Sequence, residues 1–134
     1  AGQAAIGGQN FATAQAGDVR SQAGVAQNGK KTADRNGDAA QELGYDDLIA
    51  PPTFPFTLTM KAMAMAMFDP DLGLDYGRVV HGEQHFEFER PICAGDELTV
   101  HTVIADIRAA GSNEFLTTRS EVRTTDGELV VTTQ

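Results

Sequence analysis

His81 and His85 are the side chains best placed by spacing to move protons. They stand four apart in VVHGEQHFEFER, residues 79–90, where alternation of apolar and polar positions predicts a half-buried antiparallel strand. Val80, Phe86 and Phe88 would share its inner face. His81 and His85 would share the other with Glu83, Glu87 and Glu89. An imidazole beside a carboxylate is general acid–base equipment near neutral pH. The same pair could begin a zinc site, but a structural zinc needs four ligands and no further set is evident. Histidines on an exposed strand face are also ordinary surface residues, so these readings stay open. Cys93 is the single cysteine, which excludes an intrachain disulfide framework and predicts a buried or inert thiol. We expect no metal and no cofactor.

The element that must position any such chemistry is PPTFPFTLTMKAMAMAMF, residues 51–68. At 100° per residue, Phe56, Met60, Met63 and Met67 fall on one stripe, with Leu58 and Met65 opposite and alanines between. Lys61 is its one charge, and a lysine stem can lie along apolar surface. A helix apolar nearly all round is predicted to be buried. Pro51 and Pro52 suit its start and Asp69-Pro70 its end. It is too short for a membrane span, which needs about 20 apolar residues.

The other segments build the layer around that helix. Residues 1–40 are rich in Ala, Gly, Gln and Asn and poor in large apolar side chains, an atypical leader. A short helix over 38–43 is expected, with Asn36 or Asp38 as N-cap and Gly44 as its left-handed stop. After the central helix every segment reads as strand. Residues 97–108 put Leu98, Val100 and Ile104 on one face but Val103 and Ile107 on the other, which requires two covered faces or a bulge. Residues 115–123 turn Leu116, Thr118, Ser120 and Val122 inward, and Asp126-Gly127 marks a hairpin before 129–133. The chain stops at Gln134 within a strand pattern, so a longer natural protein is expected. One long helix followed by antiparallel strands gives an α+β fold, a single domain over 1–134 whose curved sheet wraps the helix.

The net charge of −9 over 134 residues argues against nucleic acid and anionic membrane as partners. With no apolar N-terminal run, a cytoplasmic location is the expectation.

Two stretches, LGYDDLIAPPTFPFTL and LDYGRVVHGEQHFEFERPICAGDELTV, resemble the hot-dog fold of MaoC-like (3R)-hydroxyacyl dehydratases and enoyl hydratases. The likeness is narrower to the actinobacterial MaoC-like N-terminal branch, which includes the non-catalytic subunit of a mycobacterial hydroxyacyl-carrier-protein dehydratase. It extends from about residue 39 to 133, and HGEQHFEFERPICAGDEL is its most specific part. The resemblance implies strand order 1-3-4-5-2 and dimers joined edge to edge, here through residues 79–90. It also implies an acyl-CoA or acyl-carrier-protein thioester as substrate, in fatty-acid metabolism.

Active members of the family carry an Asp and a His five apart, just upstream of the helix at 38–43. Those positions fall on Gly29 and Asp34. Gly29 has no side chain, and an ordinary aspartate is a weak base at neutral pH. Active relatives also start the buried helix with His-Gly, whose glycine N–H binds the thioester oxygen, a donor worth roughly 3 kcal/mol in the transition state. Pro51-Pro52 stand there instead, leaving Thr53 or Phe54 to donate. The resemblance therefore implies a subunit with little activity alone, in a homodimer or in a heterodimer with a catalytic MaoC-like partner. Its expected substrate contacts are Pro52, Thr53, Phe54, Phe56, Met60 and Met63, the methionines adapting to an alkyl chain. Alternatively these methionines only fill the core. A self-sufficient (R)-specific hydratase, with His81 or His85 in the site, is a second reading. A hot-dog thioesterase is a third, disfavoured because residues 51–68 contain no Asp or Glu. An acyl-sensing regulator would need a DNA-binding module for which there is no room.

Overall fold

The computed structural model describes residues 10–15 and 37–134. Its elements are β1 (Asn10–Gln15), α1 (Gly37–Glu42), α2 (Phe54–Met67), β2 (Phe86–Phe88), β3 (Glu97–Ala110), β4 (Asn113–Thr124) and β5 (Leu129–Thr133). Single 3-10 turns at Pro70–Leu72 and Tyr76–Arg78 lie between α2 and β2. The five strands form one antiparallel sheet in the order β1-β3-β4-β5-β2, the order implied by the resemblance. Four strands follow the helix as expected, and the fifth comes from within the atypical leader.

Local chemistry accounts for the joints. α1 ends where Gly44 takes a φ of 89°, a conformation that costs glycine little, and Tyr45 N–H closes back on Ala40 O at 3.0 Å. The mixed apolar pattern of 97–108 resolves as a bulge, because the β3–β4 register shifts between Ile104 and Asp106. A second shift, between Val122 and Arg123 on β4, leaves Val130 unmatched on β5 and lets Val130 and Val131 both be buried. On the inner face of the sheet Leu98, Val100 and Val122 are buried. The hydroxyls of Thr102 and Ser120 satisfy each other at 2.7 Å.

Two expectations need correction. The central helix runs over Phe54–Met67 rather than 51–68, because Pro51 to Thr53 form a turn closed by Phe54 N–H to Pro51 O at 2.9 Å. Nor is it buried all round. Phe54, Leu58, Thr59 and Ala62 meet the core, whereas Met65 is exposed and Met60 is 49% exposed. Met60 lies on the side of the helix that the sheet does not cover, whereas Met65 shares the side of Leu58 and is exposed near the C-terminal end of the helix. The long strand over 79–90 shrinks to Phe86–Phe88. Its ladder with β5 ends at His85, which exchanges hydrogen bonds with Gln134, and residues 79–84 join no strand. Val80, expected inside, is 86% exposed. Among the described residues no helix is long and apolar enough to cross a membrane.

The two sides of α2 should respond differently to truncation. Leu58→Ala should cost about 2–5 kcal/mol as a core cavity. Met60→Ala should stay within roughly 0.5 kcal/mol, as exposed positions do. Urea unfolding of the two variants checks this, and equal losses would place Met60 in the core.

Candidate functional site

The start of α2 is held against the sheet by backbone and charge. Residues 48–50 and 92–94 form a short antiparallel clip, with Ala50 N–H to Ile92 O at 2.7 Å and Ala94 N–H to Leu48 O at 2.8 Å. Leu48 and Ile92 are buried on either side of it. Arg90, just beyond β2, braces the clip. Its guanidinium grips Asp96 with two hydrogen bonds, 2.8 and 3.1 Å, and reaches Glu128 at 3.2 Å. Asp96 also accepts the Cys93 N–H at 2.9 Å. This planar fork ties the end of β2, the loop before β3 and the β4–β5 hairpin together, a geometry lysine cannot reproduce. Hydrogen bonding to Asp96 holds the guanidinium still further above its ordinary pKa, with burial partly opposing. Burial, followed by the nearby Asp96 charge, pushes the Cys93 thiol up, so this half-buried cysteine is a poor nucleophile.

Between these parts lies an open groove of about 580 Å³. Ile49, Ala50 and Pro52 form the helix side of it. Phe88, Glu89, Arg90 and Pro91 form the sheet side. The walls are mostly apolar, and the Arg90 charge is already matched by two carboxylates. Such a cleft suits an uncharged, flexible ligand better than a phosphate.

Backbone donors at the groove are few. Pro51, Pro52 and Pro55 have no N–H. The Phe54 N–H is engaged by Pro51 O, and the Thr53 carbonyl receives the Phe56 N–H at 3.1 Å. Thr53 is exposed, and its own N–H has no partner among the described residues. Of the two donors that sequence left open, Thr53 is therefore the available one.

Of the six residues expected to contact substrate, Pro52 lies in the groove wall. The Phe54 side chain is 2% exposed and belongs to the core. Phe56 is half-buried and meets the His81 ring edge-on at 5.4 Å, Met63 is half-buried, and Met60 is on the surface. The structure brings Phe56 to His81 but does not gather the six into one cavity. His81 and His85 do not share a strand face, because His81 lies outside the ladder. Among the described residues no cluster of His, Cys, Asp and Glu could hold a metal ion. Gly29 and Asp34 lie outside the described residues. Sequence reasoning missed Ile49, Ala50 and residues 88–91 as groove wall. The available signal was the pairing of Arg90 with Asp96 within RPICAGD, a stretch singled out only for its resemblance.

Breaking the brace should be felt throughout this corner. Asp96→Ala strands the Arg90 fork and the Cys93 N–H, and should cost about 1–3 kcal/mol. Arg90→Lys should recover less than half of what Arg90→Ala loses, since an ammonium cannot bond both carboxylate oxygens in plane. Urea midpoints of the three variants decide; full rescue by lysine would reduce the fork to a point charge.

The family "FAS1-like, dehydratase domain region" matches residues 9–133. A UPF0336 protein of Thermobifida fusca is 54% identical over 93 residues, 69% of this chain and 61% of its own length. The chain thus spans about three-fifths of the length of such curated relatives. Among solved structures, a chain of the HadBC (3R)-hydroxyacyl-ACP dehydratase complex of Mycobacterium tuberculosis superposes with a TM-score of 0.71 at 29% identity, covering 96% of this chain and 93% of that one. A MaoC-like dehydratase gives a TM-score of 0.75 at 31% identity, over 92% of this chain and 37% of the other. The helix laid in the antiparallel sheet, the strand order and these matches agree: the chain belongs to the FAS1-like dehydratase-region family and has the hot-dog fold of the MaoC-like dehydratases.

Proposed function

We propose that this chain is an acyl-thioester-binding subunit of a (3R)-hydroxyacyl dehydratase or enoyl hydratase of fatty-acid metabolism, with little activity alone. The observation that carries the reading is the lining and donor inventory at the start of α2. A mostly apolar groove lies beside an end of the helix where Thr53 alone offers a free backbone N–H. A thioester with its alkyl chain matches that inventory, since it needs an apolar wall and one donor for its carbonyl oxygen. Dehydration also requires removal of an α-proton and protonation of the leaving hydroxyl. Among the described groove residues Arg90 is committed to Asp96 and Glu128, and Glu89 is a single carboxylate, so on this reading a second subunit would complete the acid–base pair.

Two further observations support a partner. Met60 is exposed on the side of α2 away from the sheet, and Met65 and Phe68 are exposed at its C-terminal end, apolar surface that a second subunit would cover. The similar mycobacterial chain comes from a complex of subunits. We place the proposed contact at β2, the edge of the sheet, with a catalytic MaoC-like subunit on its far side. On this reading Met63 lies along the acyl path.

Purified alone, the chain should barely hydrate crotonyl-type thioesters, and a catalytically complete MaoC-like partner should restore turnover. A kcat of about 1–1000 per second for the chain alone would place a working acid–base pair within it. In the complex, Met63→Phe should remove activity on long acyl chains while sparing short ones, because the lost contacts are distal to the reacting carbons. A uniform loss across chain lengths with a lowered Tm would leave Met63 as core.

A further inference from the structure

The groove stops short of the methionine that the proposed acyl path needs. Its wall on the helix side reaches Pro52 and includes neither Phe56 nor Met63. Phe56 follows Pro52 by four residues and precedes Met63 by seven, so the three succeed one another along one side of the helix and its entry. At the middle step the way is closed. The half-buried Phe56 ring is met edge-on by the His81 ring, with centroids 5.4 Å apart.

His81 belongs to residues 69–85, a strap that returns from the end of α2 to β2. Both ends of the strap are fastened. Near the first, the Tyr76 hydroxyl donates to Met67 O, and its ring lies 4.7 Å from that of Phe68. At the second, His85 and Gln134 exchange backbone hydrogen bonds at 2.6 and 3.0 Å, and the Gln84 amide reaches Gln134 O at 3.2 Å. The middle is held differently. Residues 77–83 are all exposed, Val80 at 86%. The Arg78 and Val79 N–H groups bond only within the local turn, to Asp75 O and Tyr76 O. Among the described residues, no hydrogen bond or ion pair joins 79–83 to another element, and the Phe56–His81 ring contact ties the middle of the strap to α2. Such a segment can lift without breaking a helix or a strand.

We infer that the strap is a gate on the acyl path and that His81 is its latch. The Phe56–His81 contact closes the way from the groove to Met63. A short acyl group binds with the gate shut, whereas a long alkyl chain must part the two rings, so His81 sets the chain length that the site favours. The inference rests on the thioester reading of the groove and adds what selects among thioesters.

A ligand that binds only the open form loses affinity in proportion to the fraction of molecules that are open. Removing the His81 ring raises that fraction, by up to about tenfold for a single edge-on ring pair. His81→Ala alters an exposed loop and should leave the fold intact. Calorimetric titration of the purified chain with butyryl-pantetheine and dodecanoyl-pantetheine reads the effect. The variant should bind the dodecanoyl thioester about three- to tenfold more tightly than the natural chain does, with butyryl affinity unchanged. His81→Phe, which keeps an edge-on ring, should return the natural ratio. In proton NMR of the natural chain, the dodecanoyl thioester should shift the His81 ring resonances and the butyryl thioester should not. With butyryl binding intact, an unchanged or reduced preference for dodecanoyl in His81→Ala would overturn the gate and leave the thioester reading standing. Failure of every protein to bind either thioester would overturn that reading, and the gate with it.

Discussion

Thr59 and Ala62 are fully buried where α2 lies on the sheet, and small side chains there allow helix and strands to approach closely. Thr59 meets its polar obligation locally, its hydroxyl donating to Phe56 O at 3.3 Å. Phe54 and Leu58 extend that narrow contact along the helix, against Leu98, Val100, Val122 and Val131. A cylinder laid in a shallow sheet has only one such side. Met60, on the opposite side of α2, lies outside that contact and is exposed among the described residues.

The same close approach makes the corner at the start of α2 a place of competing constraints. Buried Leu48 and Ile92 draw the two arms of the clip inward, and the hydrogen bonds at Ala50 and Ala94 fix their register. The Arg90 fork then fixes the distance of β2 from the β3 loop. Its two carboxylate partners are only partly buried, so the desolvation penalty of a deep ion pair is avoided while planar geometry is kept. A groove survives between clip and strand because prolines 51, 52 and 91 cannot extend either element across it.

Prolines also govern the chemistry available there. A helix start ordinarily offers several unpaired N–H groups to an oxygen. This one removes three by composition and spends Phe54 in a turn, so orientation of a carbonyl would fall to Thr53. Among the described residues of the groove wall, the Arg90 charge is matched by Asp96 and Glu128, and Glu89 is the remaining ionisable side chain.

The α+β class, the central helix, the Gly44 stop, the β3 bulge and the strands of the β3–β5 meander were all legible in the sequence, because each rests on a local period or a backbone preference at a named residue. Strand order came from resemblance rather than from period, since pairing between distant strands leaves no local mark. The burial of α2 was misjudged for the opposite reason: composition reports how apolar a helix is on every side, and only tertiary packing decides which side the sheet covers. Residues 79–85 alternate like a strand, yet a strand exists only where another lends it hydrogen bonds, and that pairing stops at His85. The groove was invisible in sequence because its walls, Ile49, Ala50 and Pro52 on one side and residues 88–91 on the other, are far apart in the chain and meet through the clip and the arginine fork.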